Sequence, residues 1–261
     1  MKTKIMAVLN INSDSFFKES RITTDEAEQK IIQTINDGAD IIDIGALSSR
    51  PGSETISDEE ELKRVKKTLD MIKQQKFYEK AVFSLDSYSP LTLDYALNCG
   101  FKIVNDITGL QDAEVCKIAK KYSATVCIMH MKGEPKNMQA NPEYSDIVKE
   151  VDDFFKERIE RAKSFGIDNI ILDAGIGFGK KLEHNIALIK HYNYFTHFGY
   201  PLLVGASRKS MISDISHSSI ENRLPGTLAV HLEAVRNGAA IVRCHDVKEH
   251  VQALKVFEAL Q

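Results

Sequence analysis

The chain has 261 residues, 43% of them hydrophobic, enough to hide roughly three quarters of its unfolded surface around one large core. Its 34 basic and 37 acidic residues leave a net charge of -3 with no basic run, so nucleic acid is not an expected partner. No apolar stretch approaches the ~20 residues of a membrane helix, and the opening MKTKIMAVLN leads straight into polar INSDS, so neither a membrane partner nor secretion is expected.

Apolar, β-branched runs recur along the chain. In order they are KIMAVLN (about 3 to 9), DIIDIGA (40 to 46), KAVFSLD (80 to 86), FKIVND (101 to 106), ATVCIMH (124 to 130), DNIILD (168 to 173), YPLLVGAS (200 to 207) and AAIVRCH (239 to 245). Continuous rather than alternating apolar runs suit strands of a parallel sheet, buried on both faces. Amphipathic stretches with helical spacing separate them, among them TTDEAEQKIIQTINDGA, SDEEELKRVKKTLDMIK and NPEYSDIVKEVDDFFKERIERAKSFG. The first and third end in a glycine that suits a helix stop, and the second opens with a serine and acids that suit a helix start.

Eight βα units in this length predict an α/β protein, a single (β/α)8 TIM barrel, with an open doubly wound sheet as the runner-up. There is no low-complexity linker, fixed-period repeat or composition shift, so residues 1–261 are read as one domain with no length left for a fused second enzyme. Cys99, Cys116, Cys127 and Cys244 form no CxxC pair, and they read as buried reduced thiols of a cytoplasmic protein.

In such a barrel the chemistry sits where strands end. The residues there are Asn10, Asp43, Asp86, Asn105, His130, Asp173, Ser207 and His245, and all are polar. Asp43, followed by further residues of its run, reads as a turn former or cap, and His130 is read the same way. On one arc, Asp86, Asn105 and Asp173 bring acceptors without cations, which suits a flat heterocycle rich in N–H donors. On the other, Lys209, Arg243, His245, Asn10 and Arg50 of SSRPGSE suit anions, and the SRKS turn is expected to aim backbone N–H groups at one. The charges are thus expected to be segregated around the mouth, facing one heterocycle and one or more anions.

Other candidates carry less. GIGFGK at 175 to 180 lacks both phosphate-loop spacings, so its glycines read as tight turns beneath a ligand, with Phe178 stacking on a flat ring or plugging the loop. His184, His191 and His197 lie on a stretch expected to be a solvent-facing helix, and SDEEEL is a helix start, not a metal site.

These residues lie in motifs that resemble dihydropteroate synthase: LNINSDSF, DIGALSSRPG, SLDSY, VNDITG, IMHMKGEPKNMQ, DAGIGFGK, GASRKSMI and RCHDV, one per strand in order. The resemblance implies a transferase of the folate pathway. It condenses 6-hydroxymethyl-7,8-dihydropterin diphosphate with 4-aminobenzoate and releases pyrophosphate with Mg2+ present. By motif position, Asp86, Asn105, Asp173 and Lys209 would hold the pterin, with Met129 and Phe178 near its faces. Asn10, Arg243 and His245 would hold the diphosphate, with the metal beside Asn10. Phe16, Ser49, Arg50, Pro51 and Ser210 would enclose the aminobenzoate, and Asp86, Lys209, Arg50 and Asp173 would carry catalysis. A homodimer and sulfonamide sensitivity are further family traits.

The first loop departs from the family's Asn-Val-Thr-Pro-Asp-Ser-Phe-Ser-Asp-Gly-Gly: Lys18 stands where the later Asp is usual. Either Lys18 neutralises pyrophosphate or Asp14 serves the metal. A corrinoid-linked pterin-binding methyltransferase barrel and a pterin-binding paralogue without catalysis are the alternative functions.

Overall fold

The structure is a computed structural model, and it describes residues 2–11, 24–45, 56–133 and 137–261. Eight parallel strands form a closed barrel in sequence order: β1 (Lys4–Asn10), β2 (Ile41–Gly45), β3 (Val82–Asp86), β4 (Ile103–Asp106), β5 (Thr125–Met129), β6 (Ile170–Asp173), β7 (Leu202–Val204) and β8 (Ala239–Cys244). Pairing of β1 with β8 closes the ring, with Met6 beside Arg243. This is the (β/α)8 TIM barrel expected from the run of elements, and an open sheet is ruled out.

The helices are α1 (Thr24–Asn36), α2 (Asp58–Gln74), α3 (Pro90–Asn98), α4 (Ala113–Lys121), α5 (Ile147–Ser164), α6 (Leu182–Lys190), α7 (Ser210–Ser216), α8 (Leu224–Arg236) and α9 (Val247–Ala259). Their boundaries follow local chemistry. Ser57 accepts the Glu60 N–H at the start of α2, and Asp146 accepts those of Val148 and Lys149 at the start of α5. Beyond α1 and α5 the chain turns at Gly38 and Gly166, whose φ angles of +98° and +72° suit glycine.

Alternate residues of each strand face opposite ways. Outward residues such as Ile42, Phe83, Val104, Val126, Leu172 and Val204 pack under the helices in one core. A second, separate cluster fills the barrel itself: Met6, Ile41, Ile103, Cys127, Ile171, Leu203 and Ile241. Two residues further along the even strands, the same inward face carries Asp43, Asn105, Asp173 and Arg243. That is one layer of side chains from alternate strands, laid on an apolar floor. All of Cys99, Cys116, Cys127 and Cys244 are buried free thiols.

Candidate active site

Asp43 lies inside β2, fully buried. Its Oδ2 accepts hydrogen bonds from Arg243 Nε (2.7 Å) and Asn105 Nδ2 (3.0 Å). Arg243 Nη2 also donates to Asp86 Oδ2 at 2.8 Å, so a single guanidinium bridges two carboxylates across β8, β2 and β3. Burial works against the charge of Arg243, but Asp43 and Asp86 outweigh it and keep the guanidinium protonated. Burial pushes the Asp86 carboxyl up to about 7, Asp43 and Glu61 add to the rise, and Arg243 opposes it. Glu61, buried at the start of α2, accepts from Ser87 Oγ and is itself pushed up to about 7, mainly by burial.

Across the mouth, Asp173 ends β6 and its Oδ1 accepts the Gly175 N–H at 2.8 Å. Burial raises its pKa, while Gly175, Lys209 and Arg243 pull it down. Lys209, just before α7, donates to the Ile176 carbonyl, and its Nζ lies 4.1 Å from the centre of the Phe178 ring. The residue is half-buried overall, but its ammonium group is packed in. That loss of hydration pushes the pKa down to about 7 against the pull of Asp173. Met129 pairs with Asp173 in the sheet and is buried.

The turn from Asp173 to Lys180 is held from within. At Gly175, φ is +65° and a Cβ would lie 1.9 Å from the His130 carbonyl oxygen, so no larger residue fits. Lys180 Nζ, buried, donates to the carbonyls of His130 (3.1 Å), Gly175 (2.9 Å) and Phe178 (2.9 Å). One side chain thereby satisfies the acceptors that the tight turn leaves pointing inward, although burial pushes its pKa well down. On the remaining arc, Ser207 Oγ lies 2.9 Å from His245 Nδ1 and accepts the His245 N–H at 3.3 Å, while half-buried Asn10 ends β1 beside Gly45.

A closed barrel with carboxylates, an amide, a buried guanidinium and a lysine converging on its C-terminal mouth is a site built for a polar, charged ligand. The family model described as pterin binding enzyme matches residues 6–245. The chain belongs to the pterin-binding enzymes and, within them, to the dihydropteroate synthases. The bifunctional dihydropteroate synthase/dihydropteroate reductase of Helicobacter pylori is 46% identical, over 99% of this chain and 68% of that protein. The crystal structure of the Yersinia pestis dihydropteroate synthase with a sulfonamide drug complex matches with a TM-score of 0.93 at 37% identity, covering 99% of this chain and 94% of that one. The Thermus thermophilus dihydropteroate synthase in complex with 4-aminobenzoate matches with a TM-score of 0.89 at 34% identity, covering 100% and 95%.

Within this pterin-binding enzyme, Asn10, Asp86, Asn105, Met129, Asp173, Phe178, Lys209, Arg243 and His245 all occupy strand ends or the turns that follow them. Ser210 is exposed as the first residue of α7. Asp14, Phe16, Lys18, Ser49, Arg50 and Pro51 lie outside the described residues.

Several expectations need correction. Asp43 is no turn former: it shares the inward face of Ile41 and joins Arg243 to Asn105. His130 is no cap either. Its ring is buried edge-on to Phe154, 4.9 Å between centres, and burial lowers its pKa to about 2. The charges are not segregated, because Arg243 reaches across to the acids. The SRKS turn spends the N–H of Arg208 on Thr227 Oγ1 and that of Lys209 on the Ala206 carbonyl, so neither is aimed at an anion. The histidine-bearing stretch is not one helix: α6 stops at Lys190, a 3-10 segment follows, and His197 Nε2 lies 2.7 Å from Asp152 Oδ1.

Asp43 and Lys180 are site residues that the sequence reading does not single out. The inward parity of Ile41 and Asp43 was a usable signal for the first. Lys180 serves main-chain carbonyls, a role without any side-chain pattern in the sequence.

Proposed function

We infer that this chain is a dihydropteroate synthase that joins 6-hydroxymethyl-7,8-dihydropterin diphosphate to 4-aminobenzoate, giving 7,8-dihydropteroate and pyrophosphate. The observation that carries the reading is the inward layer of Asp43, Asn105, Asp173 and Arg243 with Asp86 and Lys209 beside it. Buried carboxylates and an amide match the N–H-rich edge of a pterin, and a guanidinium in the same layer matches its diphosphate.

The pterin lies among Asp86, Asn105, Asp173 and Lys209, with Met129 and Phe178 at its faces. Arg243, His245 and Asn10 take the diphosphate, and Phe16, Ser49, Arg50, Pro51 and Ser210 take the aminobenzoate. The bond from the exocyclic carbon to the diphosphate oxygen breaks, and the electron-rich pterin carries the positive charge that results. The carboxylates of Asp86 and Asp173 stabilise that charge while Arg243 and His245 stabilise the departing pyrophosphate. The aminobenzoate nitrogen then bonds to the carbon and loses its proton. No strong base is required.

Magnesium fits the donors present. Asn10 offers a hard amide oxygen, and this ion is ordinarily held by one or two protein oxygens together with phosphate and water. Asn10 would hold it beside the diphosphate, where it supplies charge neutralisation of the leaving group.

We also read residues 1–261 as one pterin-binding domain and the protein as a cytoplasmic homodimer. The buried free thiols support the cytoplasmic location. Among the described residues no helix is long and apolar enough to cross a membrane. Incubation of the protein with the pterin diphosphate, 4-aminobenzoate and Mg2+ tests the activity. Pyrophosphate release dependent on both substrates is expected. Tight pterin binding without turnover would instead favour a non-catalytic paralogue.

A further inference from the structure

α8 and α9 flank β8, and each carries one buried histidine, His231 and His250, only 1% exposed apiece. His231 Nε2 accepts the Ala206 N–H at 3.0 Å, and its Nδ1 lies 2.8 Å from His250 Nε2. His250 Nδ1 lies 2.6 Å from the Asp246 carbonyl oxygen. These contacts dictate the tautomers. A carbonyl can only accept, so His250 Nδ1 bears the hydrogen and its Nε2 accepts from His231 Nδ1–H. His231 Nε2 is then free to accept from Ala206. Amide, ring, ring and carbonyl form one directional chain of hydrogen bonds with both imidazoles neutral.

Its two ends belong to the turns after β7 and β8, next to the residues proposed to hold the diphosphate. Ala206 opens the turn carrying Ser207 and Lys209, and Asp246 follows His245. The same turns are laced together by Arg208, which donates to Asp246 through Nε (3.0 Å) and Nη2 (2.5 Å). Arg208 has a φ of +55°, a left-handed conformation costly for a residue with a Cβ and kept only where neighbours fasten it.

We propose that His231 and His250 are positioning residues: a neutral imidazole–imidazole strut that sets the spacing of the Ser207–Lys209 and His245–Asp246 turns, and through it the grip on the diphosphate end of the substrate. The proposal rests on the synthase reading of the site. No position for an added proton exists without breaking a link. On His231 Nε2 it would meet the Ala206 N–H, and on His250 Nε2 the His231 Nδ1–H. The charged and titratable groups around the pair are Lys209 and His245 toward His231, and Asp246, held by Arg208, with Glu249 toward His250. Burial lowers the pKa of both rings, so the strut is intact at neutral pH and fails as pH falls.

Nitrogen-15 NMR of the histidine side chains in the full-length, ligand-free protein at neutral pH tests the strut itself. Both rings are expected as Nδ1–H tautomers, with scalar coupling across the His231–His250 bond. An Nε2–H tautomer or a protonated ring at either residue overturns the proposal. Calorimetry with inorganic pyrophosphate and Mg2+ tests its role: His231→Leu and His250→Leu should each weaken pyrophosphate binding about tenfold, and the double variant should be no worse, because the pair acts as a unit. In steady state the KM for the pterin diphosphate should rise with kcat little changed. Unchanged pyrophosphate affinity, multiplicative losses, or equal KM increases for both substrates would overturn it. Failure of the wild-type protein to turn over would count against the synthase reading and leave the tautomer result standing.

Discussion

The inward side chains of β2, β4, β6 and β8 form two layers only two residues apart. The lower layer is Ile41, Ile103, Ile171 and Ile241, part of the apolar cluster that fills the barrel. The upper layer is Asp43, Asn105, Asp173 and Arg243, with Arg243 bonded to Asp43 and Asp43 to Asn105. The backbone treats both layers alike, yet one gains stability by close packing and the other spends some of it on burying charge. Function sits at the first layer above the floor, in low dielectric, where hydrogen bonds to a ligand are strengthened.

Removing the carboxylate that knits the upper layer should have the largest effect. Asp43→Ala leaves the Arg243 guanidinium without its Nε partner, so unfolding free energy should fall by about 3 kcal/mol. Turnover should fall by roughly a thousandfold, since the anchors of Arg243 and Asn105 go together. Chemical denaturation and pyrophosphate-release assays measure the two losses. Ile41→Ala, two residues earlier, should also cost about 3 kcal/mol through the cavity it leaves. Its turnover per folded molecule should stay near that of the wild type, and a large loss would mean that the layers are not separable.

Asp173→Asn sharpens the contrast from the other side. It should weaken pterin binding more than about tenfold by spoiling a charge-assisted bond, with stability little changed. Titration calorimetry decides, and unchanged affinity would remove Asp173 from the site. A pH series probes the same layer without mutation. Asp86, raised to about 7, is protonated below that pH and no longer offers a charged acceptor. Lys209, lowered to about 7, loses its charge above it. Pterin affinity should therefore peak near pH 7, falling up to about tenfold per unit on either side. Asp86→Asn should flatten the acid limb and Lys209→Met the alkaline one. The smallest effect is expected at the rim: Arg50→Ala should raise the KM for 4-aminobenzoate several-fold, about fivefold, with pterin affinity retained.

Much of this was legible in the sequence, for physical reasons. Continuous apolar runs with helical stretches between them are what a buried parallel sheet demands, so the barrel could be read and the first strand begins at Lys4, within a residue of its expected start. Asp86 and Asp173 were readable because each closes its run, and Asn105 because it stands next to the end of its own. Asp43 was not, because a carboxylate inside a strand has meaning only through its partner, and Arg243 lies 200 residues away. Lys180 satisfies backbone oxygens of a turn whose shape the sequence does not show. His231 and His250 sit on two helices either side of β8, and only the packing of those helices brings their rings together.

The most direct measurement is a crystal structure of the protein with a pterin and pyrophosphate bound. The pterin ring is expected in contact with Asp86, Asn105 and Asp173, with Met129 and Phe178 at its faces, and the pyrophosphate against Arg243 and His245. A pterin bound away from the upper layer, or pyrophosphate without contact to Arg243, would contradict that expectation.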